Sequence, residues 1–370
     1  MRLHEESTCS TAATRLNRVL RGLACGLFLA FASGCPVTTP LPTAADVQER
    51  QLRGSGPKYY LYVPSTYDRS RLYPLVIACH GTNPWDDAWA QIREWAAFAE
   101  RKDIIVAAPV LRGTRGDFRP DPGRQLELQR ADERTILDLV ATLKGAYSIA
   151  EEQVFMTGWS AGAFAILHTG LRHPEIFRAL AIRQGTFDDR YMDIDSQRLD
   201  RWQPILVFFG ATDPLREESI KAITWLRENE LFVERLEVPG SHRRLDVNIA
   251  WEFFRKIVRE RPWIRLNAVK PDSRNRLLVR FWCESKPEFR RIVWDFGDGQ
   301  KSEDPSPSHA YAAPGAYQVS AKVSLKGSRT YERKLWMRVG PPDAVVPSVA
   351  PAPGDTPAPV DERAPSPGSE

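Results

Sequence analysis

The chain has 370 residues, which at roughly 150 per domain suggests two to three units and excludes a peptide or a disulfide-stapled mini-protein. With 42% hydrophobic and 26% charged residues it can bury a core, so a wholly disordered chain is excluded as well. A formal charge of +4, with no long Lys/Arg run, gives no electrostatic basis for binding nucleic acid.

In chain order, Arg15, Arg18 and Arg21 precede a mostly apolar run over 23–32 and then small residues up to Cys35. This is the three-part layout of a secretory signal, too short to span a bilayer stably. The segment FASGC resembles a bacterial lipobox, which implies lipidation at Cys35 and a membrane anchor built from several acyl chains; the other reading is ordinary secretion after Ala32. Either way the chain is expected to be exported, facing the periplasm or the cell exterior. Cys9, Cys25 and Cys35 all fall in this segment, leaving Cys79 and Cys283 in apolar runs where a thiol packs as a small hydrophobe. Residues 36–56, with Pro36, Pro40, Pro42, Gly54 and Gly56, read as a tether.

From 57 to 262, apolar strand-like runs alternate with segments of helical period, the pattern of a mostly parallel sheet flanked by helices. The runs are 59–63, 75–79, 104–108, 154–158, 179–182, 205–209 and 232–238. Between them, Trp85, Trp89, Ile92, Ala96 and Ala99 read as one packed helix face, and Ile136, Leu139, Val140 and Leu143 as another. The stretch 111–130 reads as a solvated loop in which Asp117 and Asp121 partner Arg112, Arg115, Arg119, Arg124 and Arg130; the alternative is a grip on an acidic substrate such as a uronate or phenolic acid. After Pro262 the pattern turns to alternation with Gly/Pro turns, an all-β unit over 266–340. Residues 341–370 hold nine prolines and read as a disordered tail.

The most informative segment is VFMTGWSAGAFAILHTG, a strand followed by Gly158-Trp159-Ser160-Ala161-Gly162 and a helical run. A serine on such a sharp strand-to-helix turn has a strained backbone, and only small residues two positions before and after it avoid collision. Its hydroxyl needs a base, and the base needs a carboxylate to set its tautomer. Of six histidines, His4 lies in the signal, His168 and His173 follow the serine on the same short helix, His80 precedes it, and His309 belongs to the β unit. His242, in a loop after the run 232–238, is the candidate base, and Asp213, just beyond ILVFF, is the candidate carboxylate. The resulting order is Ser, Asp, His. The amide of Ala161 and one from the turn after LVIAC, Thr82 ahead of Asn83, are the candidate oxyanion donors, with Gly81 allowing the tight turn and His80 shaping it.

These motifs, with GATDP and GSH, resemble the α/β-hydrolase superfamily, and within it secreted esterases related to polyhydroxybutyrate depolymerases and feruloyl esterases. The resemblance covers 57–262 and implies cleavage of small or polymeric esters through an acyl-enzyme, with no cofactor. WDFGDGQ and HAYAAPGAYQVSAKVS resemble a PKD domain, an immunoglobulin-like sandwich in which Asp295 to Gly299 form a turn, and which implies contact with a cell surface or polysaccharide. Asp295 and Asp298 do not make an EF-hand, so no metal is expected. The competing class is a cell-surface binding protein that works through the PKD unit and keeps an inactive hydrolase scaffold.

Overall fold

The computed structural model describes residues 47–340 apart from 115–120, 245, 272–273 and 328. The signal-like segment with Cys35, most of the tether, Arg115, Asp117, Arg119 and the tail therefore lie outside the described residues. An eight-stranded sheet runs in the order β1-β2-β4-β3-β5-β6-β7-β8. Its strands are β1 (Gln48–Gln51), β2 (Lys58–Tyr62), β3 (Tyr73–Cys79), β4 (Ile105–Pro109), β5 (Ile149–Trp159), β6 (Ala179–Arg183), β7 (Ile205–Gly210) and β8 (Val233–Val238). Pairing is antiparallel for β1–β2 and β2–β4 and parallel from β4 through β8.

The central strands are apolar on both faces because helices cover both faces. Alternation sends Leu75, Ile77 and Cys79 of β3 into one layer, with α2 (Pro122–Ala146), α3 (Ala163–Ala165) and α4 (Arg216–Glu228). Val76 and Ala78 point to the other layer, under α1 (Ala88–Lys102) and α5 (Val247–Glu260). Ile136, Leu139, Val140 and Leu143 of α2 are all buried, and Phe254 of α5 stacks on Phe155 at 4.5 Å. Burial pushes the thiols of Cys79 and Cys283 up, the latter to about 12, so both remain protonated packing groups.

Three segments differ from the expectation. Residues 48–51, taken as tether, form β1; its four residues are exposed and polar, so it carries no apolar strand signal, and Glu49 binds Lys58 and Tyr60 of β2 at 2.7 and 3.0 Å. Trp85 is not on α1, which starts only after Asp87, whose carboxylate accepts the Ala90 N–H at 2.7 Å; the indole is 68% exposed. The loop taken as 111–130 ends at Asp121, which caps α2 with Pro122 in its first turn, so Arg124 and Arg130 are helical. Arg130 pairs with Asp193 at 2.6 Å.

The β unit has two antiparallel sheets. One is β13-β10-β9, built from β9 (Trp263–Val269), β10 (Leu278–Lys286) and β13 (Ser308–Ala310). The other is β12-β11-β14-β15, built from β11 (Phe289–Asp295), β12 (Lys301–Ser302), β14 (Gly315–Leu325) and β15 (Thr330–Val339). Phe281, Trp294, Phe296, Val319, Ala321 and Val323 fill the space between them. His309 stacks on Phe296 at 4.1 Å and bonds Asp298 at 2.7 Å, a structural role. This unit touches the larger sheet's domain through Arg265–Glu151 at 2.9 Å, Lys286–Glu152 at 2.6 Å, Arg333–Asp200 at 3.1 Å and the Trp202–Tyr331 ring pair at 5.2 Å.

Glu133 of α2 ties that helix to the segment after α3. It bonds His173 Nε2 at 2.8 Å and lies 3.4 Å from His168 Nε2, while His173 Nδ1 bonds Glu175 at 2.9 Å. Burial opposes the His173 charge, but the bonds to Glu133 and Glu175 outweigh it and push its pKa up to about 9; Glu133 is held well below the usual carboxylate range against its own desolvation. Only an imidazolium donates from both ring nitrogens. The tie is complete between pH 4.5 and 6.5, the ordinary values of the two groups, and is lost as pH rises through about 9. His173→Gln should therefore cost about 1 to 2 kcal/mol in urea unfolding at pH 6 and progressively less towards pH 9. A stability difference that stays constant over that range removes the imidazolium from the account.

Candidate active site

Ser160 follows the last residue of β5 with φ of 51°, a left-handed conformation that costs a non-glycine residue about 1 to 2 kcal/mol. Two glycines make the turn sterically feasible. A Cβ at position 158 would lie 2.4 Å from the Gly162 carbonyl oxygen, and one at 162 would lie 2.6 and 2.9 Å from the carbonyl oxygens of Cys79 and His80. The serine carbonyl accepts the Thr186 N–H at 3.2 Å, which holds the strained residue from β6's side.

The structure brings Ser160, Asp213 and His242 together. His242 Nε2 lies 3.1 Å from Ser160 Oγ, and its Nδ1 lies 3.0 and 3.1 Å from the two oxygens of Asp213. A carboxylate only accepts, so Nδ1 carries the proton and the Nε2 lone pair faces the hydroxyl. Asp213 is buried in the turn after β7, where Leu215 N–H donates to it at 2.7 Å. The turns carrying the two residues touch where a Cβ on Gly210 would lie 2.3 Å from the Gly240 oxygen, and Thr212 donates to that oxygen from both its amide and its hydroxyl at 2.9 Å.

Two residues that sequence reasoning did not single out hold the imidazole. Trp159 stacks on it with centroids 5.0 Å apart and planes at 28°. Gln184, with φ of 50°, accepts from Trp159 Nε1 at 3.0 Å and donates to the Ser241 carbonyl at 2.6 Å. Neither carries a local signal, since a tryptophan inside G-x-S-x-G and a glutamine after an apolar strand both read as ordinary core or turn residues.

His80 is fully buried and does not face the serine. Its Nε2 accepts the Leu111 N–H at 2.9 Å and its Nδ1 donates to the Gly81 carbonyl at 2.8 Å, so it shapes the turn after β3. A Cβ on Gly81 would strike the Trp159 ring at 2.7 Å. Of the two candidate donors here, the Asn83 amide is committed to the Thr114 carbonyl at 3.2 Å, which leaves Thr82. Thr82 and Ala161 both line a cleft of about 870 Å³ that opens beside Ser160 and His242. It is lined by Glu218, Lys221, Trp225 and Glu228 of α4, by Leu215 just before that helix, and by Phe164, Phe187 and Tyr191, with the Phe187 ring 6.2 Å from that of Trp225. Trp85 stands at this cleft and not on a packed helix face. Among the described residues no arginine lines it, so the acidic-substrate grip finds no residue here.

The sheet order, the strained serine at the carboxyl end of a central parallel strand and the cleft over it define a serine hydrolase of the α/β-hydrolase class. Residues 52–204 match the Esterase family model and residues 276–339 match the PKD domain model. The hydrolase unit is thus similar to esterases over residues 52–204, and residues 276–339 are similar to a PKD domain. Among solved structures, the ferulic acid esterase of Anaeromyces mucronatus is similar at 17% identity over 59% of this chain and 91% of that one, with a TM-score of 0.49. The fluorophosphonate-binding serine hydrolase F of Staphylococcus aureus shows 13% identity over 57% and 96%, with a TM-score of 0.43. Dipeptidyl peptidase 4 of Porphyromonas gingivalis shows 14% identity over 58% and 35%, with a TM-score of 0.44; the chain spans about a third of the length of this and another such peptidase. No curated protein matches the chain.

Because a methyl group at 158 meets backbone and not a movable side chain, Gly158→Ala should lower stability by about 1 to 3 kcal/mol and turnover by at least about tenfold. Thermal unfolding and p-nitrophenyl acetate hydrolysis measure both, and wild-type values would show that the turn does not need the glycine.

Proposed function

We propose that the protein is an exported serine esterase, secreted or lipid-anchored at Cys35, that hydrolyses carboxylic esters through an acyl-enzyme. The observation that carries this reading is the continuous hydrogen-bonded chain from Ser160 Oγ through His242 to Asp213. Ser160 Oγ attacks the ester carbonyl while its proton passes to His242 Nε2. The amides of Ala161 and Thr82 take the developing oxyanion, each such donor contributing about 2.7 to 4 kcal/mol in the transition state. The C–O bond then breaks, the imidazolium protonates the departing alcohol, and Asp213 stabilises the imidazolium throughout. Water, deprotonated by the same imidazole, attacks the acyl-serine and releases the acid with the hydroxyl restored. The intact chain supports catalysis over the inactive-scaffold reading, and the PKD domain serves as the module that contacts a cell surface or polysaccharide.

Ser160→Ala should reduce p-nitrophenyl acetate turnover by about 10⁴-fold or more with the fold unchanged. In cells making the full chain, a fluorophosphonate probe should label the protein in the membrane fraction, fail to label Ser160→Ala, and label Cys35→Ser outside that fraction. Full activity of the alanine variant refutes the mechanism, and unchanged fractionation of the Cys35 variant refutes the anchor.

The aromatic and aliphatic walls of the cleft favour an ester with an extended or aromatic apolar arm. Trp225→Ala should lower kcat/KM about tenfold on p-nitrophenyl octanoate and less than about twofold on the acetate, the range one hydrophobic contact supplies. Equal losses on both would place the arm elsewhere.

A further inference from the structure

Outside the Ser160–His242–Asp213 chain, a heavily engaged carboxylate near the site is Asp86, in the stretch HGTNPWDD after β3. Its side chain is completely buried. One oxygen accepts the Gly81 N–H at 2.6 Å and Gln91 Nε2 at 2.8 Å, while the other takes Arg244 Nη2 at 2.5 Å. Its own N–H donates to the Thr82 carbonyl at 2.9 Å, so the turn 81–86 is closed from both ends. Within that turn the Gly81 carbonyl is held by the His80 imidazole at 2.8 Å. In a trans peptide the N–H points opposite the C=O, so fixing the Gly81 carbonyl fixes the direction of the Thr82 N–H.

The other contact reaches the base. Arg244 lies two residues beyond His242, and its guanidinium sits 5.7 Å from the centroid of the Trp159 ring, which in turn stacks on the imidazole. One carboxylate is thus bonded to the turn of the candidate oxyanion donor and to the loop of the candidate base. A buried anion is tolerated only with compensating charge and hydrogen bonds. Besides Arg244, that compensation is extended through Gln91, which bonds the fully buried Arg183, itself paired with Glu94 at 3.0 and 3.1 Å.

We propose that Asp86 is a positioning residue that sets the Thr82 amide and the His242 imidazole in register with Ser160; the proposal rests on the esterase reading above. Its effect is on the transition state. Ground-state binding of a small ester uses the cleft, while oxyanion stabilisation and proton transfer depend on donor and base standing within a fraction of an ångström of their places.

The test is a double-mutant cycle on the full chain with Asp86→Asn and Arg244→Gln, assayed on p-nitrophenyl acetate and expressed per site titrated to completion with a fluorophosphonate. Asp86→Asn should lower kcat by about 10²-fold with KM within about twofold, as expected when a donor and a base are displaced. Arg244→Gln should lower kcat by about tenfold, and the double variant should be no worse than Asp86→Asn alone, because the two residues act through one contact. Wild-type kcat per titrated site in Asp86→Asn overturns the proposal, even where fewer sites titrate or the melting temperature falls, since a purely structural residue removes active molecules without slowing those that remain. Additive losses in the cycle overturn the link between the turn and the histidine loop. If wild-type protein neither turns over the ester nor labels, the esterase reading itself fails.

Discussion

The site depends on a steric constraint at the carboxyl end of β5, where three pieces of backbone meet with no room for a side chain. Gly158 faces the Gly162 carbonyl, and Gly162 faces the carbonyls of Cys79 and His80. That contact makes the turn sharp enough to put Ser160 at positive φ and to start the next helix beside the end of β3. The same closeness brings the turn after β3 against β5, and with it the candidate oxyanion amide. A third glycine contact, Gly210 against Gly240, brings the carboxylate turn and the histidine loop together by the same means. In each case the energy stored in a tight turn is recovered by burying the adjoining strands in the two apolar layers.

Around this steric frame, Trp159 acts as a plate on which separate loops converge. Gly81 meets the ring at a point where a Cβ would not fit, His242 stacks on it, and Arg244 lies over it. Its indole N–H is committed to Gln184, which also holds the backbone of the histidine loop. The imidazole thus has its in-plane position set by Asp213 and Ser160 and its out-of-plane position set by the indole. The Asp86–Arg244 pair links the same loops through charge, so packing and electrostatics restrict the same displacement.

The sheet was legible because its central strands are continuous apolar runs, and the three polar residues beyond their ends occur in a fixed order along the chain. Ser160 announces itself through two glycines whose purpose is local. Asp213 and His242 follow from elimination and order. The supporting residues were not legible for a physical reason. Asp86 and Arg244 are 158 positions apart, and each sits among other charged residues that read as solvated surface. Only the folded chain shows that one carboxylate is wholly buried. Strand β1 escaped notice because an exposed edge strand needs no apolar side chains, and α2 began earlier than its apolar stripe because an Asp-Pro pair started it. Trp85 shows the opposite error: its spacing from Trp89 suits a helix face, but the cap at Asp87 excludes it from the helix.

The contacts of the PKD domain with the hydrolase domain lie at the opposite end of the sheet from this frame. Glu151 and Glu152, which bind Arg265 and Lys286, stand near the start of β5, and Asp200 and Trp202, which meet Arg333 and Tyr331, lie just before β7. Ser160 and Asp213 follow the far ends of the same two strands. Regular pairing of β5 with β3 runs from Val154 to Gly158, between the two places, so the attachment and the candidate site share strands at opposite ends. Open parallel sheets bind ligands beyond the carboxyl ends of their strands. A module fixed at the amino ends leaves the face beyond the carboxyl ends uncovered. The division of labour therefore follows from strand direction: one end of β5 anchors the second domain, and the other end carries the serine.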